Sequence, residues 1–227
     1  MDKKTEFTEI GKGIPLKDAA DKVTGSLKYG QDICLPNMLY GKILRSPHAH
    51  ANIKEINTRR AEALPGVISI ITHEDAPEWQ WNNCWFNHRG RILDNKVRFV
   101  GDEVAAVAAT SEEIAAEAIE LIEVDYEILP PVFDAIEAMS PEAPQIRAEG
   151  NVREPTKVIW GDLDEGIRQS DVIVHGKMTF GSQAYAPIGR NACVAQWDGD
   201  KVKVWTGTQT PSEMREAIAK GIGVPIS

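Results

Sequence analysis

The sequence contains little cysteine, with only Cys34, Cys84 and Cys193 among its 227 residues. Three widely separated cysteines predict free thiols in a reducing compartment, because a disulfide framework pairs an even number of them. No CxxC pair occurs, so we do not expect this chain alone to hold an iron–sulfur cluster or a structural zinc ion. We expect a cytoplasmic location.

The sequence also lacks a long apolar run and an excess of positive charge. No stretch approaches the roughly 18 apolar residues of a membrane-spanning helix, and the polar start contains no signal-peptide core. The 25 lysines and arginines against 34 aspartates and glutamates give a net charge of −9, which argues against nonspecific nucleic-acid binding. We therefore expect neither a membrane nor a nucleic-acid partner, and a globular chain of one large or two modest domains.

The stretch 96–131 predicts strand, turn, strand, helix and strand in succession. Its apolar run 104–109 is typical of a strand buried on both faces. Thr110 is placed to cap the following helix, and Glu113 three residues later completes a capping-box pattern. Apolar residues then recur at helical spacing on one face, namely Ile114, Ala118, Leu121 and Ile122. The stretch therefore predicts an α+β core.

The rest of the chain predicts further elements around this core. Residues 1–21 are polar and read as an extended arm, and 135–155 contains three prolines and many charges, as expected of a connector. Strands are predicted at 38–44, 67–72, 172–180, 192–197 and 201–206, and helices at 58–64, 163–169 and 211–220. Asp198-Gly199-Asp200 predicts a hairpin turn between the last two strands.

Two features leave a structural and a functional interpretation open. His48 and His50 could lie on one face of a strand and bind a metal, but two ligands are too few for a zinc site, and a scaffold role is favoured. The segment 77–95 predicts a loop that crowds Trp79, Trp81 and Trp85 together. Its aromatic side chains could dock a partner subunit or pack on their own domain.

Several short motifs in order resemble a known family. "KVTG", "LPNML" and "RSPHAHANI" open the chain, and "EVDYEILPPV" closes the helix-bearing stretch. Together they resemble the α/β hammerhead domain of the xanthine dehydrogenase and aldehyde oxidase family, the molybdenum hydroxylases. The later "AQWDGDKVKVWTGTQTP" is similar to the start of the family's molybdopterin-binding domain. The resemblance implies an α+β fold with an arm at 1–23, a hammerhead domain at 24–134, a linker at 135–157 and the first part of a mixed α/β molybdopterin-binding domain at 158–227.

The resemblance also implies a function. Gln209, in "WTGTQ", falls on the family's glutamine whose amide hydrogen-bonds an oxygen on molybdenum, although a polar residue facing solvent at a strand end is the structural alternative. The commoner His and Glu of a preceding turn are replaced by Tyr185 and Gly189, which weakens any inference about substrate. The family's glycine-rich cofactor loop and general-base glutamate do not occur, so no catalytic or metal-ligating residue is predicted here and the chain alone is expected to be inactive.

What the resemblance implies for the assembly is the N-terminal part of a molybdenum-binding subunit. Such an enzyme hydroxylates an N-heterocycle or aldehyde with water-derived oxygen. The molybdenum–molybdopterin cofactor would be shared with the remainder of that subunit, and iron–sulfur clusters and FAD would lie on partner subunits of a dimeric complex. The alternative is a hammerhead docking module, or a truncated or split subunit, without activity of its own.

Overall fold

The computed structural model describes residues 10–75, 80–83, 88–152, 157–181, 183–184, 186 and 191–226, with the backbone alone at 80–83 and 88–89. The helices are α1 (Ala19–Thr24), α2 (Arg59–Glu62), α3 (Glu112–Leu121), α4 (Leu163–Gln169) and α5 (Pro211–Ile222). The strands are β1 (Tyr40–Arg45), β2 (Ala51–Asn57), β3 (Val67–Ile71), β4 (Gln80–Asn83), β5 (His88–Arg91), β6 (Lys96–Val97), β7 (Glu103–Ala109), β8 (Glu123–Ile128), β9 (Cys193–Asp198) and β10 (Lys201–Thr206). Two short 3-10 turns lie at Gly30–Asp32 and Glu137–Met139.

The chain divides into two compact units. The first comprises residues 1–36 and 185–209, and the second comprises 37–184 and 210–227. The first unit contains α1 and the β9–β10 hairpin. The second contains two three-stranded antiparallel sheets, in the orders β1-β7-β3 and β6-β2-β8, and the β4–β5 hairpin. The predicted α+β class is confirmed.

Strand β7 lies at the centre of the larger unit's core. It pairs with β1 along one edge and with β3 along the other. Ala105 and Val107 pack in a cluster with Ala118 of α3, whereas Val104 packs in a second cluster with Ala51 and Val97. Alternate β7 side chains therefore reach opposite faces of their sheet, the period of two expected of a strand.

The predicted helix after β7 is confirmed, but its cap lies one residue later than predicted. Ser111 has extended backbone angles and its side chain accepts the backbone N–H of Ile114 at 3.3 Å. The backbone N–H of Thr110 instead donates to the carbonyl of Gly66 at 2.9 Å. Thr110 thus follows directly after β7 and is bonded to the residue before β3, and the capping-box assignment of Thr110 and Glu113 was wrong.

Two predicted segments differ in the structure. The end of the predicted extended arm is helical, because α1 occupies 19–24 and ends at Gly25 in the left-handed conformation with φ 72°. The predicted strand at 172–180 forms no ladder within the described chain, and its side chains are exposed. An apolar alternating pattern indicates a strand, but a strand forms only where another strand supplies its hydrogen-bond partners.

The tryptophan-rich segment is partly a hairpin. Its backbone forms β4 and β5, which pair antiparallel from Gln80 opposite Arg91 to Asn83 opposite His88. The predicted loop at 77–95 is therefore corrected at these positions. Trp79 and Trp85 lie outside the described residues, and the choice between docking and self-packing stays open. No helix within the described ranges is both long and apolar enough to cross a membrane.

Candidate cofactor contact after strand β10

The β9–β10 hairpin carries the segment in which Gln209 lies. The predicted turn at Asp198-Gly199-Asp200 is confirmed, with Gly199 at φ 63°, a value that glycine adopts at little cost. The strands pair antiparallel in unbroken register from Lys201 opposite Asp198 to Thr206 opposite Cys193. Residues 207–210 follow directly at the end of β10 that lies away from the turn.

The two faces of this hairpin differ in chemistry. One face carries apolar side chains from both strands, namely Ala195, Trp197, Val202 and Val204. On the other face the ammonium group of Lys203 lies over the Trp205 ring, 4.6 Å from its centroid. A cation over an indole ring is an attractive contact of about 0.5–1 kcal/mol at an exposed site, and it favours a defined orientation of Trp205 at the end of the strand.

The open end of the hairpin packs against the N-terminal part of the same unit. A side chain at Gly30 would place its Cβ 3.0 Å from the carbonyl oxygen of Ala192, so glycine permits this close backbone approach. The 3-10 turn that begins at Gly30 is itself stabilised, because the backbone N–H of Tyr29 donates to the Asp32 carboxylate at 3.0 Å. The turn therefore supports β9 at the end nearest to Gln209.

Gln209 lies in an exposed bend, and its side chain has no hydrogen-bond partner within the described chain. Gly207, two residues earlier, faces open space. A primary amide offers two N–H donors and one acceptor without a net charge. These properties fit a contact to an oxygen of a molybdenum cofactor, because a neutral donor can hold an anionic oxygen without changing the charge of the site.

The histidine pair belongs to the scaffold of the larger unit. His48 contacts Tyr126 edge-on, with ring centroids 4.8 Å apart, and burial raises the pKa of Tyr126 while a hydrogen bond with Ser46 partly offsets the rise. His50 is 4% exposed, and its Nδ1 lies 2.7 Å from the Pro130 carbonyl oxygen. Within the described ranges, no three His, Cys, Asp or Glu side chains come together as metal ligands.

The remaining residues singled out from the sequence are scattered. Cys34 and Cys193 are exposed free thiols, and Cys84, Tyr185 and Gly189 lie outside the described residues. The structure brings together a group that the sequence did not indicate: Arg91, Arg98 and Arg147 line one cleft of the larger unit. They lie in three separate segments without a shared motif, so no sequence signal joins them.

Comparison with known proteins finds a family match in each half of the chain. Residues 24–130 match the family model for the a/b hammerhead domain of aldehyde oxidase and xanthine dehydrogenase. Residues 145–227 match the model for the molybdopterin cofactor-binding domain. Fold and matches together define the class: a hammerhead domain followed by the first part of a molybdopterin-binding domain.

Three relatives illustrate the similarity. The large chain of carbon monoxide dehydrogenase from Afipia carboxidovorans is 34% identical over 88% of this chain and 27% of its own length. The molybdenum-binding subunit of xanthine dehydrogenase from Escherichia coli O157:H7 is 28% identical over 92% of this chain and 29% of its own. The crystal structure of quinoline 2-oxidoreductase from Pseudomonas putida 86 superimposes with a TM-score of 0.82 at 31% identity, over 95% of this chain and 29% of that one.

The chain belongs to the aldehyde oxidase and xanthine dehydrogenase family. It spans less than a third of the length of these three relatives.

Proposed function

We propose that this chain is the N-terminal part of the molybdenum-binding subunit of a xanthine dehydrogenase-like hydroxylase. The observation that carries the proposal is the exposed amide of Gln209 after β10, which has no hydrogen-bond partner among the described residues and lies inside the range that matches the molybdopterin cofactor-binding domain. We also propose a hammerhead domain at 24–134, a linker at 135–157 and an incomplete cofactor-binding domain at 158–227. The match at 24–130 supports the first of these, and the match at 145–227 supports the third but begins within the linker.

In the proposed reaction this chain positions the side-chain amide of Gln209 toward the cofactor. When bound, the molybdenum–molybdopterin cofactor supplies the two-electron redox chemistry that hydroxylates an N-heterocycle or aldehyde with water-derived oxygen. Gln209 would donate a hydrogen bond from its side-chain amide to an oxygen of that cofactor. The β9–β10 hairpin holds the segment that carries this amide, and the 3-10 turn at Gly30–Asp32 supports the hairpin.

The remainder of the molybdenum-binding subunit is the first partner that we propose. Apolar side chains between 157 and 180 are exposed, most of all Trp160 at 96%, Met178 at 95% and Phe180 at 93% of their reference areas. Large apolar patches on a folded chain mark surfaces that another element covers. The unpaired stretch 172–180 would supply a strand to a sheet that this remaining polypeptide completes.

We place the iron–sulfur clusters and FAD on partner subunits, because this sequence contains no CxxC pair or comparable cluster motif. The assembled complex would be a dimer. A location in the cytoplasm is in keeping with the few, widely separated cysteines of the sequence. The substrate is an electron-poor heterocycle or an aldehyde.

The test begins with elemental analysis of the complex purified from its native source under non-denaturing conditions. We expect stoichiometric molybdenum and co-purifying partner subunits. Gln209→Ala in that complex should lower turnover roughly 10- to 100-fold at unchanged molybdenum content, the range observed when a group that orients a metal ligand is lost. Turnover is measured with the heterocycle or aldehyde that the wild-type complex oxidises in a dye-reduction screen.

Gln196→Ala is the matched control. Gln196 is also an exposed glutamine of the β9–β10 hairpin, but it lies in mid-strand, away from the 207–210 segment. We expect its turnover to equal that of the wild type. A chain that purifies without metal and without partners would be a docking module or an inactive piece of a subunit, and the proposed function would be wrong. Equal turnover of Gln209→Ala and Gln196→Ala would remove Gln209 from the site while leaving the family assignment intact.

A further inference from the structure

A cleft of about 320 Å³ opens on the larger unit, apart from the β9–β10 hairpin. Its walls come from the end of β5, the turn between β6 and β7, and the connector after β8. Three arginines line it, Arg91, Arg98 and Arg147, together with the acidic residues Asp94, Asp102 and Glu103. Glu149 lies at its exposed rim.

Three of the four acidic residues that line the cleft are already engaged by donors, whereas the exposed Glu149 has no such partner within the described chain. The Asp94 carboxylate accepts a hydrogen bond from Nη1 of Arg98 at 2.8 Å and from the backbone N–H of Asn95 at 2.8 Å. Asp102 accepts the backbone N–H groups of Arg98 and Glu103 at 2.8 and 3.2 Å, and burial raises its pKa. Glu103 forms an ion pair with Arg45 at 2.8 Å.

The arginines, by contrast, have donors to spare. The side chain of Arg147 is half-buried and its guanidinium forms no ion pair or hydrogen bond within the described chain. Arg91 has one distant ion pair, 4.0 Å from Asp94. Arg98 uses Nη1 for Asp94 and for the Lys96 carbonyl, while its Nε is buried without a hydrogen-bond partner. A guanidinium offers five N–H donors in a planar fork. The arginines of this cleft therefore have N–H groups left that a ligand with acceptor oxygens could bind.

The connector holds Arg147 in place through Asn151. The side-chain oxygen of Asn151 accepts the Ile146 backbone N–H at 2.9 Å, and its amide donates to the carbonyls of Pro144 and Ala138 at 2.9 and 3.2 Å. These bonds tie both ends of the turn that presents Arg147 to the cleft. The arginine is therefore carried by an ordered backbone.

We propose that this cleft binds a small oxyanion, a phosphate or carboxylate group on a molecule of metabolite size, through Arg147, Arg91 and the free edge of Arg98. Arginine pairs with both groups through parallel N–H···O bonds. The volume of the cleft accommodates more than a single inorganic ion, so part of the ligand beyond the anionic group lies within its walls.

The test is isothermal titration calorimetry of the full 227-residue chain with two probes, pyrophosphate and citrate, in 0.15 M KCl, a salt level that screens long-range attraction. We expect saturable binding of at least one probe, and the preferred probe identifies the source of the oxyanion as a phosphate or a carboxylate compound. Arg147→Gln should weaken that binding at least about tenfold, since a charge-assisted hydrogen bond is lost. Arg91→Gln should weaken it in the same direction.

Arg59→Gln is the matched control, because Arg59 is exposed and its guanidinium likewise has no partner in the described chain, but it lies in α2, outside the cleft lining. Its affinity should equal that of the wild type. Arg147→Gln removes no side-chain hydrogen bond or ion pair within the described chain, so its circular dichroism and urea midpoint should not change. Absence of saturable binding of both probes, or equal weakening by all three substitutions, would overturn the proposal.

Discussion

At the scale of single residues, Gly66 follows the end of a helix and also permits close packing against the start of α3. Pro65-Gly66 predicts the end of the short helix at 58–64, and α2 does end at Glu62. The structure adds that Gly66 has φ +97° and that a Cβ there would lie 2.7 Å from Cδ1 of Ile114 and 2.8 Å from Oγ1 of Thr110. Backbone conformation and close packing against the start of α3 therefore both require glycine.

We predict that Gly66→Ala lowers the free energy of unfolding by roughly 1–3 kcal/mol, because it combines a left-handed backbone strain with a steric overlap. Gly101→Ala is the control: Gly101 has nearly the same φ, +95°, but nothing lies within 4 Å of a Cβ placed there. Urea unfolding should show a smaller loss for Gly101→Ala. Equal losses would mean that Ile114 and Thr110 adjust without cost and that backbone conformation alone selects glycine.

At the scale of secondary-structure elements, the strand–helix–strand succession of 96–131 was predictable and its cap was not. The apolar run of β7 and the helical spacing of α3 follow from side-chain periodicity, which the sequence displays directly. Thr110 and Ser111 are adjacent residues with equally good capping side chains. Ser111 is the cap because the backbone N–H of Thr110 donates to the carbonyl of Gly66, the residue before the neighbouring strand β3. That contact depends on the tertiary fold.

We predict that Ser111→Ala lowers the free energy of unfolding by about 1 kcal/mol, the usual cost of losing a helix N-cap. Its side chain accepts the Ile114 N–H, which would otherwise have no partner in the first turn of α3. Thr110→Ala should cost less, since it leaves that bond intact. Chemical denaturation of both variants checks the order, and a larger loss for Thr110→Ala would restore Thr110 as the cap.

At the scale of the whole molecule, the chain combines a well-packed core with a long exposed apolar stretch. Val104, Val107 and Ala118 are at most 2% exposed, whereas the side chains at 172–180 face solvent. Burial of an aliphatic side chain contributes roughly 1.5–3 kcal/mol to the free energy of unfolding, so the buried core residues stabilise this chain. The exposed apolar side chains at 172–180 can contribute only when another polypeptide covers them.

We predict that Met178→Ser leaves the unfolding free energy of this chain unchanged but destabilises the complete molybdenum-binding subunit. Met178 is 95% exposed here, and the proposed remainder of the subunit would bury it. Val107→Ala is the control and should cost about 2 kcal/mol in both contexts, because Val107 is buried in this chain already. Thermal and urea unfolding of this chain and of the complete subunit, each with and without the substitution, measure the difference. A stable complete subunit carrying Met178→Ser would mean that no further chain packs on this stretch.

From the amino-acid sequence we could predict the fold class, most helices and strands, the hairpin turn at Asp198-Gly199-Asp200 and the family, because periodicity, turn residues and short motifs are local properties of the chain. Other features depend on the tertiary fold: 172–180 pairs with no strand of the described chain, Ser111 caps α3, Gln209 is exposed, and Arg91, Arg98 and Arg147 share a cleft. Each of these depends on which distant backbone or side-chain groups meet, and on whether a donor finds an acceptor there. Contacts between separate segments cannot be predicted from a local sequence pattern. The candidate oxyanion cleft, whose three arginines come from separate segments, is the clearest example.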